Sequence, residues 1–203
     1  HMMAYGLATG NLIFGKQIEK RGNVLIVAAE ETQNEMDIRL AACKQQMGKN
    51  DGKFKIYKRG LENDLKLVNF TKTGATATKQ YKQLQNTIRK KEIKYIILDP
   101  LINFQTGTYD ENSNQNMDNY IKNYLIPLAV NADGVVFSGH HTNKISMVAT
   151  HDNELLVDNQ NALNAARGAS SLIGAARFVL ALQPMTRKSV SYTHLRAHET
   201  RHD

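Results

Sequence analysis

"VLIVAAEETQNEMDIRLAACKQQM", Val24 to Met47, changes its hydrophobic period part-way along. Val24–Ala29 is apolar without alternation and follows the turn-like "RGN". Both faces of such a segment are to be buried, as in a parallel strand covered on two sides. From Glu35 onward, Met36, Leu40, Cys43 and Met47 recur three or four residues apart, the spacing of one helix face. A buried strand running into an amphipathic helix is the opening of a βα unit.

The pattern repeats on the C-terminal side. Gly48–Lys53 reads as a loop, and Phe54–Val68 as one or two short strands. Thr78–Lys91 has helical spacing, with Tyr81, Leu84 and Ile88 inward. Tyr95–Leu98, "YIIL", is a second buried strand ending at Asp99-Pro100. Gln105–Asn116 is polar and loop-like. Met117–Val130 is helical, with Pro127 expected to bend it. Val135–Ser138 is a third buried strand. Ile145–Asn161 is a polar loop, Ala162–Ala176 is helical in part, and Phe178–Leu182 is a fourth strand. Continuous apolar strands separated by helices predict an α/β fold, a mostly parallel sheet flanked by helices.

The 203 residues suit one domain, and 41% hydrophobic with 22% charged residues is an ordinary soluble balance. No apolar run approaches the roughly 20 residues of a membrane helix. The start, "HMMAYGLATG", lacks the basic region, apolar stretch and cleavage site of a signal peptide. A lone Cys43 excludes an internal disulfide framework and thiolate zinc sites and fits a reducing compartment, so a cytoplasmic protein is expected. The net charge of +7 favours an anionic partner. The basic residues are scattered along the sequence, however, and "RKKEIK" (Arg89–Lys94) reads as a solvated helix end.

Both ends carry marks of a non-native origin. His1-Met2 precedes a second methionine and reads as a cloning remnant. "VSYTHLRAHET" (Val190–Thr200) back-translates to a stretch resembling the transposon-end adapter of shotgun sequencing. Residues 189–203 are therefore expected to be a translated adapter, with His194, His198 and His202 carrying no function. Residues 3–188 are the expected core.

In parallel sheets the chemistry collects at the carboxyl ends of the strands. Here the first strand ends in Glu30 and Glu31, the second in Asp99, and the third in His140 and His141. "AARGASS", with Arg167, precedes the last. Each alone has a plain alternative: Asp as a turn residue, a Glu pair complementing a helix dipole, packed histidines. Together, in order, they suit nucleotide hydrolysis. An apolar strand ending in Asp is the Walker B pattern, whose carboxylate holds Mg²⁺ through water. A neighbouring Glu can take a proton from the attacking water. A polar side chain on the next strand can touch the γ-phosphate, and an Arg can reach a phosphate in the next subunit.

The segments "VLIVAAEETQNEMDIRL", "YIILDPLINFQTGTYDEN", "VVFSGHHTNK" and "AARGASSLIGAAR" resemble the RecA-like ATPases, most closely the family of the hexameric plasmid replicative helicase RepA. The resemblance runs from about Ala4 to Leu182. It implies that Glu30 activates water, with Glu31 beside it, and that Asp99 is the Walker B aspartate. It implies that His140 and His141 stand near the γ-phosphate. Arg167 is implied to be an arginine finger acting across the subunit boundary, with Arg177 a second candidate. ATP and Mg²⁺ are the implied cofactors. Single-stranded DNA and a homo-oligomer, a hexameric ring, are the implied partners, and no membrane is involved.

One departure is large. No G-x-x-x-x-G-K-[ST] occurs in the chain. In the family that loop precedes a helix whose end resembles "AYGLATG", so the first strand and the P-loop are expected to lie upstream of this chain, leaving it inactive alone. Lys16, the one early lysine, lacks the required loop and reads as a surface residue. Two other classes compete with the motor: a RecA-like binding or scaffold protein without catalysis, and a metal-dependent hydrolase using Asp99, His140 and His141. The last is the poorest, because successive side chains after a strand point apart.

Overall fold

In a computed structural model of the chain, residues 1–108, 110, 113–141 and 171–180 are described. Residues 1–141 and 171–175 belong to one compact unit, and 176–180 fall outside it.

The chain enters through α1 (Met2–Thr9), which ends at Gly10 in the left-handed conformation, φ 84°. Then follow β1 (Asn23–Ala28), α2 (Gln33–Met47), β2 (Ile56–Arg59), β3 (Val68–Thr71), β4 (Gly74–Ala77), α3 (Lys79–Lys90) and β5 (Ile93–Asp99). A 3₁₀ turn (Leu101–Phe104), β6 (Gln105–Gly107), α4 (Asn114–Tyr120), α5 (Ile126–Ala132) and β7 (Val135–Ser138) complete the central part. A short helix spans Ser171–Ala175.

Four strands form the main sheet in the order β2-β1-β5-β7. Every neighbouring pair is parallel: Val27 stands beside Arg59 on one side and Leu98 on the other, and Leu98 faces Ser138. The expected mostly parallel sheet flanked by helices is present. The continuous apolar character of β1 follows from burial on both faces. Val24, Ile26 and Ala28 pack with Ala4, Leu7 and Ala8 of α1 and Met36 of α2. Leu25 and Val27 join the larger cluster with Tyr81, Leu84 and Ile88 of α3 and with Met117, Tyr120 and Leu128.

Several expectations need correction. The fourth strand of the main sheet is β2, and residues 178–180 are irregular; 181–182 lie outside the described residues. Gln105–Gly107 is not loop but β6, which joins the β3–β4 hairpin in a second sheet, order β4-β3-β6. Such short strands carry too few residues for a readable alternation. Helix α2 begins at Gln33, two residues before Glu35. At Pro127 the distortion takes the form of a π-helical turn over Ile121–Leu125, joining α4 to α5. Proline lacks the N–H that would bond the carbonyl four residues back, and its ring crowds that carbonyl, so the ladder widens upstream.

Candidate active site

Because the main sheet is parallel, the carboxyl ends of β1, β5 and β7 lie side by side, and they bring Glu30, Asp99 and His141 to one edge. Ala29 N–H donates to the Asp99 carbonyl at 2.8 Å, tying the chain just before Glu30 to the end of β5. Asp99 is the last residue of β5 and is exposed. Beyond β7, Gly139 is held from both sides. Its N–H donates to the Leu98 carbonyl and its carbonyl accepts from Leu101 N–H, both at 2.8 Å. A Cβ on Gly139 would overlap Asp99 Oδ1 and stand 2.9 Å from Asp99 Cγ. The missing side chain is the space the Asp99 carboxylate occupies.

Glu30 points over this edge. Its Oε1 accepts from Asn103 Nδ2 at 3.3 Å and lies 4.0 Å from His141 Nε2. Glu30 and His141 remain more than half exposed, so their contact is worth little in stability. What matters is placement: a carboxylate and an imidazole from the strands on either side of β5 share one open edge. His140 precedes His141 and is half-buried.

Glu31 turns the other way. Its Oε1 lies 3.3 Å from Arg39 Nε on α2, and its Oε2 lies 2.9 Å from His1 Nε2. Neither glutamate caps α2. Thr32 and Glu35 form a capping box, and Glu62 Oε1 accepts from Gln33 N–H at 2.9 Å. With the dipole of α2 already answered by Glu35 and Glu62, the plain alternative for the Glu30–Glu31 pair loses its force. Backbone and Thr32 hydrogen bonds hold the Glu35 carboxyl below its ordinary range, in keeping with that capping role.

Two functional candidates were not apparent in the sequence. Asn103 is the one side chain hydrogen-bonded to Glu30 among the described residues; its own carbonyl accepts from Lys66 Nζ at 2.8 Å, which steadies it. Gly139 is the other. Nothing in "DPLINF" marks its asparagine, whereas a glycine directly after a strand that neighbours an Asp-ended strand is a readable sign of close approach. Arg167 lies outside the described residues. Arg177 is exposed and falls outside the compact unit. Among the described residues no group of three His, Cys, Asp or Glu side chains is placed to hold a metal ion, so Asp99, His140 and His141 do not converge on one.

The family model of the AAA domain matches residues 2–147, which includes all of the main sheet and the whole of this edge. The chain belongs to the AAA domain family. No curated protein matches it. AAA membership makes this an ATPase-type domain, a nucleotide-binding fold typically served by Mg²⁺. Glu30, Asp99 and His141 stand at the carboxyl ends of the strands, where parallel sheets commonly bind ligands. A single exposed carboxylate in a cradle that a Cβ would fill suits an ion that keeps most of its waters, as Mg²⁺ does. No helix among the described residues is long and apolar enough to cross a membrane.

Proposed function

We propose that this AAA domain is the ATP-driven motor of a replicative-helicase-like protein of the RepA type, working on single-stranded DNA as a hexameric ring. The observation that supports it is the sharing of one sheet edge by Glu30, Asp99 and His141, on adjacent parallel strands. Mg²⁺, when bound, would draw negative charge from the phosphate oxygens. Asp99 would hold that ion through water. Glu30, aligned by Asn103, would take a proton from the attacking water. His141 and His140 would contact the terminal phosphate and register its loss. Arg167, with Arg177 as the second candidate, would reach the phosphates of the neighbouring subunit. Glu31, turned toward Arg39, would keep Glu30 company without touching substrate.

This reading requires a phosphate-binding loop and its strand from upstream coding sequence, since none lies within the 203 residues. The test starts with that upstream DNA and continues with ATP turnover by the extended protein. Glu30→Gln should lower turnover by about 10²–10⁴-fold while leaving ATP binding in place. Arg167→Ala should cost roughly 10³-fold or more. Mixing the two variants should restore part of the activity, because some interfaces then pair an intact Glu30 with an intact Arg167. Wild-type turnover by Glu30→Gln would refute the role of Glu30. An upstream segment without the loop would favour a non-catalytic binding or scaffold protein.

A further inference from the structure

We propose that the amino-terminal edge of the main sheet, opposite the candidate active site, binds a nucleic-acid strand through its phosphates. The lysines concerned are far apart in sequence and adjacent in space. Lys20 precedes β1, Lys53 and Lys55 precede β2, and Lys90 and Lys91 precede β5. The parallel topology alone would bring them to one edge, and the contacts confirm it. Lys55 N–H donates to Asn23 Oδ1 at 2.9 Å, and Asn23 Nδ2 donates to the Lys91 carbonyl at 2.8 Å. Tyr95 Oη donates to the Lys20 carbonyl at 2.6 Å, and Lys91 Nζ sits 5.4 Å from the Tyr57 ring centre.

All five lysines are exposed, and none forms an ion pair among the described residues. The cations that do have acidic partners here are others: Arg21 with Asp51 at 2.6 Å and Lys94 with Asp133 at 2.9 Å. Asp51 and Asp133 also feel Lys53 and Lys20, and Glu19 and Glu92 are the remaining acids of the edge among the described residues, so seven cations, these five with Arg21 and Lys94, stand against four carboxylates. The helix dipole accounts for Lys90 and Lys91 at the end of α3. It does not account for Lys20, Lys53 or Lys55, which stand on connections before strands.

The dimensions suit a linear polyanion. Strands lie about 4.8 Å apart, so β2, β1 and β5, the three adjacent strands that the lysines precede, span about 10 Å. A nucleic-acid strand presents one charge per roughly 3.4 Å along a duplex axis, so about four phosphates span that width, and lysine side chains reach past either end. Phe54, flanked by Arg21 and Lys53 at 5.2 and 5.6 Å, and Tyr57 set rings among these cations, as surfaces for single strands do. This inference rests on the single-stranded DNA part of the proposed function and not on catalysis, and its test uses no ATP.

The test is fluorescence anisotropy of a labelled 20-nucleotide oligo-dT with the full chain, titrated at several salt concentrations. Five phosphate contacts give a log–log salt slope of about −3.5, a loss of about 100-fold in affinity between 50 and 200 mM salt. Replacing Lys53, Lys55 and Lys91 by Gln should leave a slope of about −1.4 and a loss of about 7-fold over the same range. The same three changed to Arg should keep the wild-type slope, which separates charge from misfolding. A control with Lys72, Lys79 and Lys122 changed to Gln should also keep it. An equal effect from the control would overturn the site, as would binding to phosphatidylserine vesicles without binding to the oligonucleotide.

Discussion

Two glycines bracket β7, and the structure predicts opposite consequences for adding a methyl group to each. At Gly134 a Cβ would overlap the Lys94 carbonyl oxygen and lie 2.8 Å from its carbon and 3.0 Å from Lys94 Cα. Ordinary carbon–carbon contacts are about 3.5–4.0 Å, and both obstacles are backbone of β5. Relief therefore means parting β5 from β7 by the better part of an ångström at the start of their ladder. Losing one or two ladder bonds at about 1 kcal/mol each, with overpacking strain of about 1–3 kcal/mol, puts Gly134→Ala at about 2–5 kcal/mol. At Gly139 the obstacle is the Asp99 carboxylate, which can rotate away, while the backbone is pinned by Leu98 and Leu101. Gly139→Ala should cost under about 1 kcal/mol, within the range of a locally absorbed change, but move the Asp99 carboxylate from its place. The assay is urea unfolding for both variants, followed by Mg-ATP binding in the upstream-extended protein. Gly134→Ala should fail the first measurement and Gly139→Ala only the second. A Gly139→Ala protein with both stability and Mg-ATP affinity unchanged would refute the view that this glycine seats the aspartate.

Other consequences can be measured on the chain directly. Burial and the neighbouring Tyr124 push the Tyr81 hydroxyl up to about 12, while it donates to the Tyr124 carbonyl at 2.8 Å. Between pH 10 and 12 the unfolded chain gives up this proton and the folded chain keeps it. Its stabilisation is thus whole below pH 10 and falls as pH rises, by at most about 2.7 kcal/mol at 1.36 kcal/mol per unit; Tyr81→Phe should flatten that part of the stability–pH curve. Thr32→Ala removes the capping box of α2 and should cost about 0.5–2 kcal/mol by urea unfolding. Protein without its His1 and tail histidines should carry no stoichiometric zinc, nickel or iron on elemental analysis; a metal lost on replacing His140 and His141 would overturn their assignment to the phosphate.

Much of the fold was legible because burial on both faces leaves a strong trace. Val24–Ala29, Tyr95–Leu98 and Val135–Ser138 are readable as strands, each within a residue or two of its observed limits, but the burial expected of all three holds for β1 and much of β5 only: β7 lies at the edge of the sheet and none of its four residues is buried. The helix face Tyr81, Leu84, Ile88 was legible because it is buried. The second sheet was not, because β3, β4 and β6 are three or four residues long, and β4 and β6 are mostly exposed. The apolar run at Phe178–Leu182 suggests a strand, yet residues 178–180 are irregular, whereas the edge strand β2, "IYKR", falls within Phe54–Val68, where one or two short strands are expected.

The site residues divide by a different rule. In a sheet whose strands all run one way, "after a strand" and "before a strand" in the sequence become opposite ends of the molecule. Glu30, Asp99 and His141 follow their strands, so their union on one edge needed no knowledge of the loops. By the same rule Lys20, Lys53, Lys55, Lys90 and Lys91 are sorted onto the other edge, although along the chain they look scattered. What the rule cannot supply is contact within an edge. Asn103 reaches Glu30 because a 3₁₀ turn folds back directly after Asp99, and Gly139 meets Asp99 because two backbone bonds fix its depth. Both contacts depend on atoms brought together by the turn and the pairing register; the glycine after a strand signals a close approach without naming its partner, and the asparagine carries no such mark. The lysines were there to be found once the strands were known to be parallel, and their common edge is a consequence of topology that a net charge of +7 could only hint at.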